Sequence, residues 1–111
     1  MKEKQYNCSY EYSIDVLSGK WKGWVIWHLS SGTLRYGELK KLLTNITQKM
    51  LTQTLRELEY SGVIHREVYA VVPPKVEYSL TKYGKKLLPI LVSLHEWGKE
   101  AYMELGFDDK T

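Results

Sequence analysis

Thr47-Gln48-Lys49-Met50-Leu51-Thr52-Gln53-Thr54-Leu55-Arg56-Glu57-Leu58-Glu59-Tyr60-Ser61-Gly62 is the stretch on which the reading of this chain turns. On a wheel of about 100° per residue, Leu51, Leu55 and Leu58 fall in one narrow sector, which anchors a helix to a core. The opposite sector carries Lys49, Gln53, Arg56 and Tyr60, with Thr52 at its edge. Thr47 is a good N-cap, and Ser61-Gly62 closes the helix with glycine in its favoured C-terminal position. Immediately upstream, Leu39, Leu42 and Leu43 follow i, i+3, i+4 spacing and predict a short helix over Tyr36 to Leu43. Thr44-Asn45-Ile46 is a tight turn between the two, so the pair reads as a helix-turn-helix.

Working outward, the period changes after Gly62. Val63 to Val72 is rich in β-branched residues, and Val76, Tyr78 and Leu80 alternate with Lys75, Glu77 and Ser79. Two strands joined around Pro73-Pro74 make a hairpin, since proline cannot donate to a ladder and belongs at a tip or an edge. A very short strand near Leu34-Arg35 adds a third edge. From Thr81 a long helix reaches about Leu105, and Pro89 is expected to kink it. Towards the N-terminus the chain predicts a short helix over Ser13 to Leu17 and another from Lys20 to Leu29, stopped by Ser30-Ser31-Gly32. In the latter, Trp21, Trp24, Val25 and Leu29 share a face, Ile26 and Trp27 point elsewhere, and Gly23 suggests close backbone packing. The expected fold is mainly α with a small β-hairpin: a winged helix-turn-helix with extra N- and C-terminal helices suited to dimerisation. One domain over residues 1–111 accommodates it, with the helix-turn-helix at about 36–60, the wing at about 63–80 and the last helix at about 82–105.

The outer face of the fourth helix carries the functional reading. Arg, Lys and Gln make forked or paired contacts to base edges in the major groove of double-stranded DNA. Lys49, Thr52, Gln53 and Arg56 are the candidate base readers, joined by Thr47 and Gln48 at the end of the helix that approaches the bases. Arg35, Lys40 and Lys41 flank the preceding helix, which in this motif crosses the phosphate backbone, and Arg66 and Lys75 lie on the hairpin, within reach of phosphates. The plainer alternative is a solvated polar face and ordinary surface charge, to which Glu57 and Glu59 lend some support. The turn, the hairpin and the basic residues together favour DNA. A winged-helix module that binds protein rather than DNA is the other function class, and exposed apolar residues on the wing would favour it.

Composition agrees. The chain has 111 residues, 43% hydrophobic and 26% charged, with a formal charge of +3. Met1 to His95 holds fourteen Lys/Arg against eight Asp/Glu, whereas Glu96 to Thr111 holds two against five, so the basic excess lies upstream of the last helix. A single cysteine, Cys8, excludes an intrachain disulfide and suits the cytoplasm. The N-terminal residues contain no apolar run of signal-peptide type, and no stretch approaches the ~20 apolar residues of a membrane span. His28, His65 and His95 lack metal-ligand spacing, and neither paired carboxylates nor a nucleophile–base set nor a phosphate loop is present, so neither an enzyme nor a cofactor is expected.

Several runs resemble the HxlR-type winged-helix transcriptional regulators, a MarR-like family. They are Gly19-Lys20-Trp21, Gly32-Thr33-Leu34-Arg35-Tyr36-Gly37-Glu38-Leu39, Ile46 through Leu58, Val72-Pro73-Pro74-Lys75-Val76-Glu77-Tyr78-Ser79-Leu80-Thr81-Lys82-Tyr83-Gly84, and Trp97-Gly98. The resemblance spans roughly Cys8 to Gly98. It implies a dimeric transcription factor, often a repressor, that dimerises through its terminal helices and in some members senses oxidants or electrophiles through an N-terminal cysteine. Here Ser9 follows Cys8 where proline is usual, and Trp24 and Trp27 replace aliphatic residues. Cys8 stands near Lys2 and Lys4, cations of the kind that make a thiol more reactive, and near Glu3 and Glu11. Trp21, Trp24, Trp27 and Trp97 serve core and dimer packing or line a small-molecule cavity. The stripe Leu87, Leu91, Leu94, Gly98, Ala101 and Leu105, widened by Ile90 and Trp97, reads as a helix seam facing a second protomer. The expected protein is therefore a homodimeric DNA-binding regulator of pseudo-palindromic sites.

Overall fold

The computed structural model describes residues 6–108. In chain order the elements are α1 (Ser9–Leu17), α2 (Lys22–Leu29), β1 (Leu34–Arg35), α3 (Tyr36–Leu42), α4 (Gln48–Tyr60), β2 (Ile64–Tyr69), β3 (Lys75–Leu80) and α5 (Lys82–Glu104). The strands form one antiparallel sheet in the order β1-β3-β2, with Leu34 opposite Tyr78 and Ile64 opposite Leu80. This is a winged helix: a helical body carrying a three-stranded sheet whose hairpin projects beside α4.

The leucine sector of α4 does what its spacing requires. Leu51, Leu55 and Leu58 are buried, together with Thr54. They pack into one core with Val25, Ile26 and Leu29 of α2, Leu39 and Leu43, and Ile64, Tyr78 and Leu80 at the base of the sheet. The turn before α4 reverses at Asn45, whose φ of 76° is a left-handed conformation asparagine tolerates, and this drives Ile46 into the core. Thr47 Oγ1 then accepts from the Met50 N–H at 3.1 Å and caps α4. At the other end Gly62, with φ 84°, allows the Gly62 N–H to reach the Glu59 carbonyl at 3.0 Å. The Val63 N–H reaches the Leu58 carbonyl at 3.2 Å, completing a Schellman closure.

The structure alters several expectations. α1 begins at Ser9 rather than Ser13, with Glu11 in its first turn where the helix dipole favours an acid. α2 buries Lys22, Val25, Ile26 and Leu29, and leaves Trp24 and Trp27 exposed. Ile26 therefore belongs to the core face with Val25 and Leu29, and Trp24 does not. Gly23 meets Leu91 of α5 only at ordinary contact distance: a Cβ built there would lie 3.8 Å from Leu91 Cδ2. β2 stops at Tyr69 instead of running to Val72, and Val71 and Val72 sit in the exposed tip, where the Val72–Pro73 bond is cis. α5 spans Lys82–Glu104 with Pro89 inside it, in keeping with the long C-terminal helix expected from the sequence. Among the described residues no helix is long and apolar enough to cross a membrane.

Candidate nucleic-acid interface

With one side of α4 locked into the core, Lys49, Gln53 and Arg56 are left exposed on the other, and Thr47 and Gln48 are exposed at its N-terminal end. Met50, 43% exposed, joins this face three residues before Gln53. Sequence reasoning passed over Met50 as an apolar residue, although its i, i+3 relation to Gln53 marks the face, and an apolar side chain suits a thymine methyl. Thr52 is half-buried, and its hydroxyl lies 3.1 Å from that of Tyr36, which donates to the Gln48 carbonyl at 3.0 Å. Tyr36, the first residue of α3, thus braces the first two turns of α4, and Thr52 stands behind the outer face.

The flanking cations differ in setting. Arg35 is the N-cap of α3, its N–H donating to Glu38 Oε1 at 2.8 Å, which leaves the exposed guanidinium available. Lys40 and Lys41 are exposed in the last turn of α3. Arg66 and Lys75 do not sit together on the wing. Arg66 pairs with Tyr78 near the hairpin's base, and its Nε lies 3.3 Å from Glu59 Oε1 at the end of α4. A phosphate at Arg66 has to compete with that carboxylate, although an exposed ion pair contributes only about 0–1 kcal/mol. Lys75, opposite Tyr69 near the tip, lies 4.5 Å over the Tyr69 ring and 3.8 Å from Glu77 Oε2. The hydrogen bond to Glu77 also pushes the Tyr69 phenol above its ordinary pKa. Beyond Lys75 the wing tip is apolar: Val71 is exposed and Val72 is 100% exposed.

The terminal helices divide their apolar stripe. Leu87, Leu88 and Leu91 pack against the chain's own core, whereas Leu94, Trp97 and Leu105 are exposed and Ala101 is half-buried. Tyr10, Ile14 and Ile90 are exposed as well. Trp24 and Trp27 face Leu91, Leu94 and Lys99 across an apolar cleft of about 540 Å³ between α2 and α5. Trp21 instead packs against the core, and Trp97 lines a separate shallow groove with Ala101 and Leu105. Cys8 is exposed and is the N-cap residue of α1, while Lys2, Glu3 and Lys4 lie outside the described residues.

Residues 16–105 match the HxlR-like helix-turn-helix family. The chain belongs to it. It is 56% identical over 98 residues to the uncharacterized HTH-type transcriptional regulator YtcD of Bacillus subtilis strain 168, a match covering 88% of this chain and 78% of YtcD. Its fold is that of the redox regulator HypR. The reduced form aligns with a TM-score of 0.78 and 48% identity over 88% of this chain and 96% of HypR. The oxidised form aligns with a TM-score of 0.75 and 50% identity over 84% and 96%. This HxlR-like chain is accordingly a DNA-binding winged-helix regulator of transcription and not an enzyme. The resemblance read from the sequence identified the family correctly.

Proposed function

We propose that the protein is a cytoplasmic, homodimeric transcriptional repressor that reads a pseudo-palindromic operator with the outer face of α4 and responds to oxidants or electrophiles through Cys8. The carrying observation is that Lys49, Gln53 and Arg56 are exposed on a helix whose opposite face is buried as Leu51, Leu55 and Leu58. Gln53 and Arg56 can each form two-pronged base contacts, Thr47, Gln48 and Lys49 enter first, and Thr52 supports them from Tyr36. Arg35, Lys40, Lys41, Arg66 and Lys75 are the candidates for phosphate contacts, which hold the register without reading sequence.

The dimer reading is supported by the exposure of Leu94, Trp97 (69%) and Leu105 (72%) on one long helix, an apolar stripe of the kind that marks an interaction surface. Leu87 and Leu91 contribute to the seam from beneath, by seating α5 on the core. A two-fold dimer sets two recognition helices about 34–36 Å apart, one turn of DNA. The redox reading is supported by the likeness to a redox regulator and by the exposed thiol. With one cysteine in the sequence, the products a thiol can reverse are a sulfenic acid, a mixed disulfide or a Cys8–Cys8 bond between protomers.

The test is titration of the purified protein against DNA from its own upstream region and against scrambled DNA, before and after treatment with a hydroperoxide. Preference for the upstream DNA, lost on oxidation and regained on reduction by a thiol, is the expected result. Equal binding to both DNAs removes the operator reading. A second reading, a wing that docks on protein, is favoured by one observation, the exposed Val71 and Val72 at its tip. Gln53→Ala separates the two: it lowers the preference for upstream DNA if the α4 face reads bases, and leaves DNA binding unchanged if the module serves a protein partner instead.

A further inference from the structure

The far end of the recognition helix is held from two sides. After Tyr60 the carbonyls of three successive residues are each taken by another element. Ser61 O accepts from the Tyr12 hydroxyl of α1 at 2.5 Å, Gly62 O from Thr81 Oγ1 at 2.7 Å, and Val63 O from the Thr81 N–H at 3.1 Å. Thr81 is also the N-cap of α5, its Oγ1 accepting from the Gly84 N–H at 3.2 Å. On the α1 side the buried Lys22 donates to the Asp15 carbonyl at 3.0 Å, and its Nζ lies 3.9 Å from the Glu57 carboxylate of α4. The Tyr6 ring packs edge-on against Tyr12 at 5.5 Å, and its hydroxyl bonds Asp15 at 2.6 Å. The two terminal helices therefore meet α4 at one joint, Ser61–Val63.

Closing a helix does not require this. Water can serve carbonyls in a surface turn, and Gly62 is exposed. The joint adds direction. The leucines of α4 set how deeply the helix lies, but apolar burial is non-directional and tolerates tilt. Hydrogen bonds fall off steeply with angle and do not. The lever is long: the 13 residues of α4 span about 20 Å at ~1.5 Å each, so a tilt of roughly 5° about the joint carries the first turn by about 1.7 Å. That exceeds the ~0.5 Å within which a recognition constellation has to be held.

We propose that Tyr12 and Thr81 are positioning residues for DNA recognition: by holding the Ser61 and Gly62 carbonyls they make the pose of α4 depend on the docking of α1 and α5. This rests on the reading that the outer face of α4 reads bases. Neither hydroxyl touches DNA. Both act on specificity through the helix they hold, and they link the two terminal helices to the reading head.

The experiment compares wild type, Tyr12→Phe, Thr81→Ser, Thr81→Val and Gln53→Ala. Each is measured for thermal unfolding, amide exchange over residues 57–63, and binding to upstream and scrambled DNA across a salt series. Tyr12→Phe is expected to stay folded, to exchange faster around the joint, and to keep its salt slope. Its preference for upstream over scrambled DNA is expected to fall roughly two- to tenfold, within what one lost hydrogen bond can supply. Thr81→Ser, which keeps the hydroxyl, should match wild type where Thr81→Val does not. If Gln53→Ala loses preference while Tyr12→Phe keeps it, the positioning role is overturned and base reading stands. If both keep it, base reading fails and the positioning role falls with it.

Discussion

Gly84→Ala probes how closely α5 is seated against the end of α4. Gly84 is the buried glycine of the first turn of α5, and a Cβ built there would overlap the Val63 carbonyl oxygen. It would also lie 3.1 Å from Leu80 Cδ2 and 3.2 Å from the Val63 carbonyl carbon. The obstacle is backbone, fixed by the Thr81 N–H at 3.1 Å, so the start of α5 has to move away. Overpacking of this kind costs about 1–3 kcal/mol. Losing or stretching one or two of the Thr81 hydrogen bonds adds about 0.5–1.5 kcal/mol each. Against this, alanine is favoured over glycine inside a helix by about 1 kcal/mol. The net expectation is a loss of about 0.5–5 kcal/mol, or a fall in Tm of roughly 2–25 °C for a domain of this size. Gly37→Ala is the control, since nothing lies within 4 Å of a Cβ there and the position is helical. Thermal unfolding followed by the helical circular dichroism signal reads both. A Gly84→Ala protein as stable as Gly37→Ala would refute the close approach and the joint built on it.

Three further outcomes follow from the same contacts. The wild-type chain should sediment as the proposed dimer and Trp97→Glu, on the exposed stripe of α5, as a folded monomer; a wild-type chain already monomeric at micromolar concentration contradicts that proposal. Cys8→Ser should bind DNA as the reduced wild type does and ignore hydroperoxide, and a variant that still loses affinity on oxidation removes Cys8 from the response. Burial pushes the Tyr78 phenol above its ordinary pKa of 10.0, although Arg66 pulls the other way. The unfolded chain therefore ionises first, and the stability tied to the neutral phenol, intact below about pH 10, is lost above it. Tyr78→Phe should flatten that alkaline loss, and an unchanged slope would show that Tyr78 does not drive it.

Much of this architecture is written in local patterns. The α4 leucines, the Thr47 cap and the Ser61-Gly62 stop each point to the same helix, and the alternation in β3 announces the wing. The short third strand expected near Leu34-Arg35 is present as the two-residue β1, and only the structure shows its register, Leu34 opposite Tyr78. What local pattern left open is orientation where a helix is apolar all round. In α2 the wheel offered two faces, and only tertiary packing buried Ile26 and left Trp24 exposed. The same packing buried Lys22, a residue whose charge predicts exposure, because the Asp15 carbonyl and Glu57 receive its amine. The two hairpin cations looked alike in sequence. Register separates them, setting Arg66 beside Glu59 and Lys75 near the tip. Tyr12, Tyr36 and Thr81 carry no motif of their own as hydrogen-bonding residues, since their partners are backbone carbonyls or hydroxyls distant in sequence.

The most direct test of the account is a salt-dependent titration of Gln53→Ala and Lys75→Ala on upstream and scrambled DNA, after each variant is shown to fold and to dimerise as wild type does. Gln53 is exposed on the outer face of α4, and a two-pronged base contact discriminates by about 1–3 kcal/mol. Gln53→Ala should therefore lose roughly five- to 150-fold in preference for upstream DNA with its salt slope intact. Lys75, near the wing tip, should do the reverse: its loss weakens binding to both DNAs and reduces the slope by about one unit. Variants that bind both DNAs as wild type does, at every salt concentration, would contradict the assignment of the α4 face and the wing to DNA.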